Sequence, residues 1–275
     1  MLEASGQETA GAGIVVAPMG VGELLDAGFN LTRRYYGRLF MVGAWGQIPG
    51  GVASAISGAL SVQGMTDASL VGAVIALFLL STVASALAYA AVVLGFARII
   101  EPTGDPRDLE TLTLYRAALG RFWAMLGWWL IIVVLAVPLV ILFPLGIFLL
   151  VRWLVSSEVI LIERRGPVAS LQRSWALTRG AWWHTLAVVL VSSMILGIIA
   201  IVVAGLLGGI AGAAGFLLGD MPLAQALGNV AGTAASLVIT PPSVAYYVIL
   251  YYELRARTEG YDLTQRARQT ATPAP

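Results

Sequence analysis

Four polar side chains lie within long apolar stretches, and their types suit them to contact a solute inside a membrane. Arg152 and Glu158 are the only charged residues over positions 124–162, and Gln47 and Asn229 lie in two other apolar stretches. Ionisable side chains are costly inside a membrane, and they commonly mark a substrate path or a specific partner. We therefore consider these four as candidate binding residues.

Arg152 has two interpretations, which depend on where a helix over residues 146–163 places it. In a straight span it would lie about 9 Å from the outer end and about 16 Å from the inner end. A lone arginine at such a depth costs about 2.5–3.5 kcal/mol on insertion scales. Arg152 would therefore either extend to the outer headgroups or face the bundle, where it would contact Gln47, Asn229, Ser157 or a phosphate-bearing ligand. The plainer role of Gln47 and Asn229 is to make hydrogen bonds between helices.

The residue inventory excludes several kinds of catalytic and metal site. The chain contains no cysteine and a single histidine, His184, so a thiolate metal site and a cysteine nucleophile are impossible. It carries no Ser-His-Asp set, no P-loop and no dinucleotide-binding motif. A net charge of +1 gives no reason to expect nucleic acid as a partner. We therefore expect a protein that is not an enzyme and has no metal or organic cofactor.

The composition indicates a membrane protein. Hydrophobic residues make up 59% of the 275 positions and charged residues only 11%, and the mean hydropathy is +0.86. A helix of about 20 apolar residues is long enough to cross a bilayer. We predict an all-α fold, a polytopic membrane bundle of six transmembrane helices with short amphipathic helices at the cytoplasmic interface. The predicted spans are residues 39–60, 70–97, two within 124–162 that turn at 143–146, 185–210 and 223–252.

The basic residues predict the topology. All sixteen are arginine, and nearly all lie in four segments: before span one, between spans two and three, between spans four and five, and after span six. Because cytoplasmic loops are enriched in basic residues, we expect both termini in the cytoplasm and the protein in a bacterial plasma membrane. We also expect disordered tails over residues 1–20 and 263–275, with a single membrane domain over residues 21–262.

Three amphipathic segments are expected to lie along the cytoplasmic surface. The first covers residues 21–40, with apolar side chains on one side and arginines on the other. The second lies within residues 98–121 and is expected to begin at Asp105-Pro106. The third begins at Pro167, which suits the first turn of a helix. Its apolar face contains Val168, Leu171, Trp175 and Trp182.

Two motifs resemble one protein family. The first, here called the elbow, is Ile162-Glu163-Arg164-Arg165-Gly166-Pro167 followed by Leu171, Arg173-Ser174-Trp175 and Leu177. The second, the tail motif, is Tyr251-Tyr252-Glu253-Leu254-Arg255 followed by Arg257 and Glu259-Gly260-Tyr261-Asp262-Leu263. Together they resemble the glycerophosphoryl diester phosphodiesterase membrane-domain family over residues 21–263. The family takes its name from members joined to a phosphodiesterase barrel. This chain is expected to lack that barrel, so the resemblance implies the membrane domain without the activity.

The two motifs also supply candidate residues for contact with partners. Arg173 and Trp175 belong to the elbow, and Glu253, Arg255 and Arg257 belong to the tail motif. Glu253 precedes Arg257 by one helical turn, in the order that favours an ion pair. The two arginines follow a pair of tyrosines, where anionic lipid headgroups would attract them. The tail motif is therefore either a helix stop and membrane anchor or a docking site for a soluble partner.

Two functions remain open from the sequence. The first is a scaffold or accessory component of a cell-envelope process, which lies in the lipid bilayer and has an unidentified cytoplasmic or membrane protein partner. The second is a transporter or channel for a small or lipid-like solute, in which Arg152, Glu158, Gln47 and Asn229 line one cavity. A water-filled cavity at mid-depth would favour the transporter, and a dry bundle packed through glycines would favour the scaffold.

Overall fold

The computed structural model describes residues 17–63, 68–101, 109–141, 143–261 and 263. Within these ranges the chain forms nine α-helices and no strand, so the predicted all-α fold is confirmed. The helices are α1 (Val21–Gln63), α2 (Ala68–Ile100), α3 (Thr111–Leu119), α4 (Phe122–Ile141), α5 (Phe143–Trp153), α6 (Ser156–Glu163), α7 (Pro167–Leu177), α8 (Trp182–Leu218) and α9 (Met221–Glu259).

The long helices define a multi-pass membrane protein. Five segments are long and apolar enough to cross a bilayer, and α3 with α4 makes a sixth if this pair, bent by 61°, is one broken span. One of the five, Leu145–Glu163, combines α5 and α6 across a turn at Leu154 and Val155. Besides α5 and α6, which share that span, two further helices are short and precede longer ones, α3 before α4 and α7 before α8. The predicted class, an all-α polytopic membrane bundle, is confirmed, with five spans or six if α3 and α4 form one.

Helix α1 differs from the prediction because no break separates a surface helix over residues 21–40 from the first span. It continues for 43 residues, about 65 Å at the rise of an α-helix. Leu24 and Leu39 are completely buried, whereas Phe29 is 60% exposed. A Cβ atom added to Gly28 would lie 2.4 Å from the ring of Tyr246 in α9. The apolar face of this segment therefore packs on α9, and the helix has no reason to bend into the headgroup layer.

The packed core lies at one end of the bundle, which we call the arginine-rich end because Arg98, Arg116, Arg164 and Arg255 belong to it. Its largest fully buried side chains come from α1, α2, α3, α6, α7 and α9. They include Leu24, Phe96, Ile100, Leu114, Leu161, Leu177, Tyr251 and Tyr252. The opposite ends of the long helices are open, since Ile210 is 70% exposed and Leu217 is 82% exposed. Most of the large fully buried side chains therefore lie at the arginine-rich end, whereas at the opposite end α8 and α9 pack closely at Gly215 and Ala224.

Small residues recur every four positions at Gly46, Gly50, Ser54 and Gly58, and two further pairs of glycines have the same spacing. This spacing predicts close approach of another helix, which the structure shows at some positions and not at others. A Cβ atom on Gly46 would lie 2.3 Å from the Cβ atom of Ala88 and 2.6 Å from a backbone oxygen of α2. The predicted close approach of another helix to this stripe is therefore confirmed at Gly46. The two other predicted pairs have no neighbouring atom within 4 Å of an added Cβ in the described part of the chain. These are Gly205 with Gly209 and Gly228 with Gly232.

Several predicted segments lie wholly or partly outside the described residues. The predicted start of the second surface helix, Asp105-Pro106, is among them, and the helix that is described there begins at Thr111. Most of the two predicted tails, residues 1–16 and 264–275, also lies outside. The described end of the first tail contacts the bundle, because Arg257 donates a hydrogen bond to the carbonyl oxygen of Met19 at 2.6 Å.

Candidate functional site

Helix α7 lies across the arginine-rich end with its small polar side chains facing the protein. Gly166 precedes the helix in an extended conformation, and Pro167 occupies the first turn as predicted. The buried side chains are Ser170, Leu171, Ser174 and Leu177. Of the predicted apolar face, Val168 is 59% exposed and Trp175 is 37% exposed. The predicted apolar face is therefore only partly uncovered, because Leu171 is buried and the ring of Trp175 packs edge-on against Phe148. The side that carries the serines packs against the spans.

A closed set of charged and phenolic side chains joins the elbow to the tail motif. Glu163 accepts hydrogen bonds from Nε of Arg173 and from the hydroxyl of Tyr251, both at 3.0 Å. Arg173 also forms an ion pair with Glu259 through Nη2. Glu259 in turn accepts from Nε of Arg255 at 3.2 Å, and Nη1 of Arg255 lies 3.4 Å from the Tyr251 hydroxyl. We call these five residues the ion-pair ring.

The ion-pair ring combines opposite charges in a partly buried site. It contains two carboxylates and two guanidinium groups, so its charges cancel. The side chains of Glu163 and Arg173 are 12% and 19% exposed. Burial alone lowers the pKa of Arg173, but the carboxylates of Glu163 and Glu259 outweigh it and raise that pKa. Arg173 therefore stays charged, and the ring holds α6, α7 and α9 together through charge-assisted hydrogen bonds.

A second polar cluster surrounds Glu253, which is completely buried. Arg257 pairs with it one turn along α9, and this confirms the predicted ion pair. The backbone N–H of Met19 lies 3.4 Å from the same carboxylate, and Nε2 of His184 lies 3.5 Å from it. The other oxygen, Oε2, has no hydrogen-bond partner in the described ranges. The cluster joins α8, α9 and the segment before α1.

Arg152 lies beside α7, the helix that follows its own span in the chain. Its guanidinium carbon is 5.1 Å from the ring centroids of both Phe148 and Trp175, a distance at which cation–π attraction operates. The hydroxyl of Ser174 donates a hydrogen bond to the Arg152 carbonyl at 2.8 Å. The turn at Leu154 breaks the helix, and α7 packs back along it. Arg152 therefore contacts neither Gln47 nor Asn229. Its guanidinium lies over the two aromatic rings instead.

The other three candidate binding residues each have a separate partner. Glu158 is completely buried and accepts hydrogen bonds at 2.8 Å from the hydroxyls of Tyr89 and Ser157. Gln47 accepts from Ser85 at 3.3 Å, and Asn229 donates to the carbonyl of residue 54 at 2.9 Å. These contacts are hydrogen bonds within and between helices. Each of Arg152, Glu158, Gln47 and Asn229 therefore has its own partner, and none of the four belongs to the wall of the lateral cavity described next.

A lateral cavity of about 450 Å³ opens between α2, α8 and α9. Alanine, glycine and aliphatic side chains form most of its wall, together with Tyr89, Ser236, Thr240 and Ser243. The three aliphatic hydroxyls donate to carbonyl oxygens of their own helix, and Tyr89 donates to Glu158. The wall therefore offers a solute few free donors and suits a hydrocarbon chain better than water.

The residues that complete the two polar clusters could not be identified from the sequence. Tyr251 and Tyr252 are expected from the sequence to lie at the membrane interface, but both are fully buried. Glu163 and Glu259 carry no helical pattern that reveals a shared partner, because they lie on different helices. His184 approaches Glu253 from the start of α8 in the same way. The only signal in the sequence is that charged residues recur in both the elbow and the tail motif.

Comparison with known protein families, with curated proteins and with solved structures found no match for this chain. The class of protein is thus defined by its fold, a multi-pass helical membrane protein. Among the described residues, no three histidine or acidic side chains come together as a group that would hold a metal ion. The resemblance to the glycerophosphoryl diester phosphodiesterase membrane-domain family stays a prediction.

Proposed function

We propose that the chain is a non-catalytic scaffold or accessory component of a cell-envelope process, with its arginine-rich end in the cytoplasm. The observation that supports this most is the set of partners that the polar side chains contact. The ion-pair ring joins three helices, and the four candidate binding residues are separated on different partners. A solute path would need such groups to converge on one cavity.

The arginines support the proposed orientation in a bacterial plasma membrane. Arg98 ends α2, Arg164 and Arg173 lie between α6 and α8, and Arg255 lies near the end of α9. These positions belong to one end of the bundle, and that end is expected in the cytoplasm because basic residues are retained there during insertion. Both termini of the membrane domain would then be cytoplasmic.

The face of α7 that the bundle leaves uncovered is the proposed contact surface. Gln172 and Ala176 are exposed, and Trp175 is 37% exposed beside them. Large aromatic side chains are frequent anchors in protein interfaces. The ion-pair ring fixes α7 from beneath, so a partner would meet a rigid helix and lose little entropy on binding.

The lateral cavity supports a second candidate function, the binding or transfer of a lipid-like solute. Its apolar wall and its volume of about 450 Å³ fall within the roughly 300–1,000 Å³ usual for ligand sites. Of the residues predicted for a solute path, only Glu158 approaches it, through the hydroxyl of Tyr89. This function would therefore involve a hydrocarbon chain and no charged substrate.

Photo-crosslinking in native membranes tests the scaffold proposal. A photoreactive residue at Gln172 should give a discrete protein adduct that mass spectrometry identifies. The matched control is the same residue at Leu217, which is 82% exposed at the other end of the bundle and should give lipid adducts. Lipid adducts alone at Gln172, or the same protein adduct from both positions, would contradict the proposal.

A further inference from the structure

A pocket of about 350 Å³ lies where the turn between α3 and α4 meets the turn between α6 and α7. Arg116 belongs to α3 and Arg121 to the turn after it, and Arg164 and Arg165 come from the second turn. Ile160 and Ala124 are among the residues that complete the wall. Four guanidinium-bearing side chains from two distant segments therefore surround one small volume.

Three of these arginines are not neutralised within the described residues. Arg165 pairs with Glu163 at 2.7 Å, whereas Arg116, Arg121 and Arg164 form no ion pair there. Nη1 of Arg121 is also buried and has no hydrogen-bond partner in the same ranges. A buried guanidinium donor without an acceptor is costly, so this position is better filled by an external oxyanion.

The electrostatic environment of Arg121 also favours a negative charge beside it. Its pKa falls to about 10, first because burial removes water and then because Arg164 and Arg98 repel the positive charge. Glu101 offsets part of this repulsion. Arg121 remains protonated at neutral pH, and a bound anion would relieve both the repulsion and the loss of hydration.

Arg164 contributes to this pocket from a left-handed backbone conformation that arginine rarely adopts. Arg164 follows the last residue of α6 with φ of 59°, and it is the only non-glycine residue with positive φ in the described part of the chain. Glycine is the residue that adopts this conformation at a helix end without strain. The charged side chain therefore occupies a position where the fold itself would accept glycine.

We propose that this arginine pocket binds the phosphate oxyanion of an anionic phospholipid headgroup. Arginine suits phosphate because its planar fork donates two parallel hydrogen bonds. Two side chains next to the pocket in sequence favour a lipid over free phosphate, since Leu119 is 54% exposed and Trp123 is 79% exposed. They offer an apolar surface for acyl chains beside the charged pocket. The site does not depend on the scaffold role.

Native mass spectrometry of the delipidated full-length protein tests this site. Phosphatidylglycerol, phosphatidylcholine and inorganic phosphate are added separately, and bound molecules are counted. Arg164→Gly should fold at least as well as the parent chain, because glycine accepts the positive φ. It should nevertheless bind phosphatidylglycerol about tenfold more weakly, as expected for one lost charge-assisted contact. Arg121→Gln should show a similar loss.

Arg179→Gln is the matched control, because it removes one exposed arginine of the same end outside the pocket and should leave binding unchanged. Saturable binding of inorganic phosphate that both pocket variants lose would support the site with free phosphate as its source. Equal binding of phosphatidylcholine and phosphatidylglycerol, or an equal loss in Arg179→Gln and Arg164→Gly, would overturn the proposal.

Discussion

The hydroxyl of Tyr251 donates a hydrogen bond to the carboxylate of Glu163 at 3.0 Å, across 88 positions of the chain. This contact joins the tail motif to the elbow. Both partners lie at the arginine-rich end, where Tyr251 is fully buried and the side chain of Glu163 is 12% exposed. The same carboxylate also accepts from Arg173, so it fixes the end of α6 against both α7 and α9.

A double-mutant cycle between Glu163 and Arg173 should reveal a coupling free energy of unfolding of about 1–2 kcal/mol. The side chains are mostly buried, and hydrogen bonds to charged groups contribute about 1.5–3 kcal/mol before any exposure is considered. The cycle uses Glu163→Gln and Arg173→Gln, and SDS titration in mixed micelles measures the free energy of unfolding of each variant. The control cycle pairs Glu163 with Arg165, which is 47% exposed and should couple by less than about 1 kcal/mol. Equal coupling in the two cycles would contradict the assigned ring.

Gly46→Ala should destabilise the bundle by about 1–3 kcal/mol, since the new methyl group overlaps Ala88 and a backbone oxygen of α2. Backbone atoms cannot move aside as a flexible side chain can. Gly205→Ala is the matched control, because an added Cβ there has no atom within 4 Å in the described chain, and it should be neutral or slightly stabilising. Thermal denaturation in detergent measures both variants, and a neutral result at Gly46 would show that α1 and α2 are farther apart.

Arg152→Leu should insert and fold. The broken cation–π contacts should cost about 0.5–2 kcal/mol of stability, and part of that loss should be offset because Nε and Nη1 of Arg152 are buried without a hydrogen-bond partner in the described ranges. Arg152→Lys should retain part of that stability, because an ammonium group is still attracted to the rings of Phe148 and Trp175. Neither variant should change any flux of solute in reconstituted vesicles. Unfolding titrations and a vesicle flux assay measure these effects. A flux that Arg152→Leu abolishes and Arg152→Lys partly restores would instead support the transporter.

Much of the fold follows from the apolar pattern of the sequence, because span length and arginine placement respond to the membrane alone. The end of α9 was predictable in the same local way, since Gly260 has a positive φ of 63° and the pair Glu253–Arg257 lies within one turn. Local spacing suffices for these features, and the structure shows both.

The remaining features depend on contacts between distant segments, which single-sequence periodicity does not report. The amphipathic face of residues 21–40 is equally suited to a headgroup layer and to another helix, and the structure packs it on α9 through Gly28 and Tyr246. Arg152 likewise contacts Trp175 of a different helix, α7, a partner that the spacing along its own helix does not reveal. Candidate site residues were therefore placed correctly on helices, but their partners could not be predicted.

The proposed orientation has its own test in reporter fusions. Fusions after Asp67, Phe143 and Asp220 should report the outer side, and fusions at Pro106 and at the end of the chain should report the cytoplasm. The arginines between these positions are the physical reason, because they resist translocation. Alkaline phosphatase and fluorescent protein reporters give complementary signals, and an external C-terminus would refute the orientation.

The most direct test of the account asks whether partner contact depends on the ion-pair ring. The yield of the protein adduct from a photoreactive residue at Gln172 is compared in the parent chain, in Glu259→Gln and in Arg179→Gln. Glu259 pairs with both Arg173 and Arg255, so its loss should loosen α7 and reduce the yield several-fold. Phosphatidylglycerol binding should stay normal in Glu259→Gln, since Glu259 lies outside the arginine pocket. We expect Arg179→Gln, which leaves the ring intact, to keep at least half of the adduct. An undiminished yield in Glu259→Gln would contradict the claim that the ring builds the contact surface.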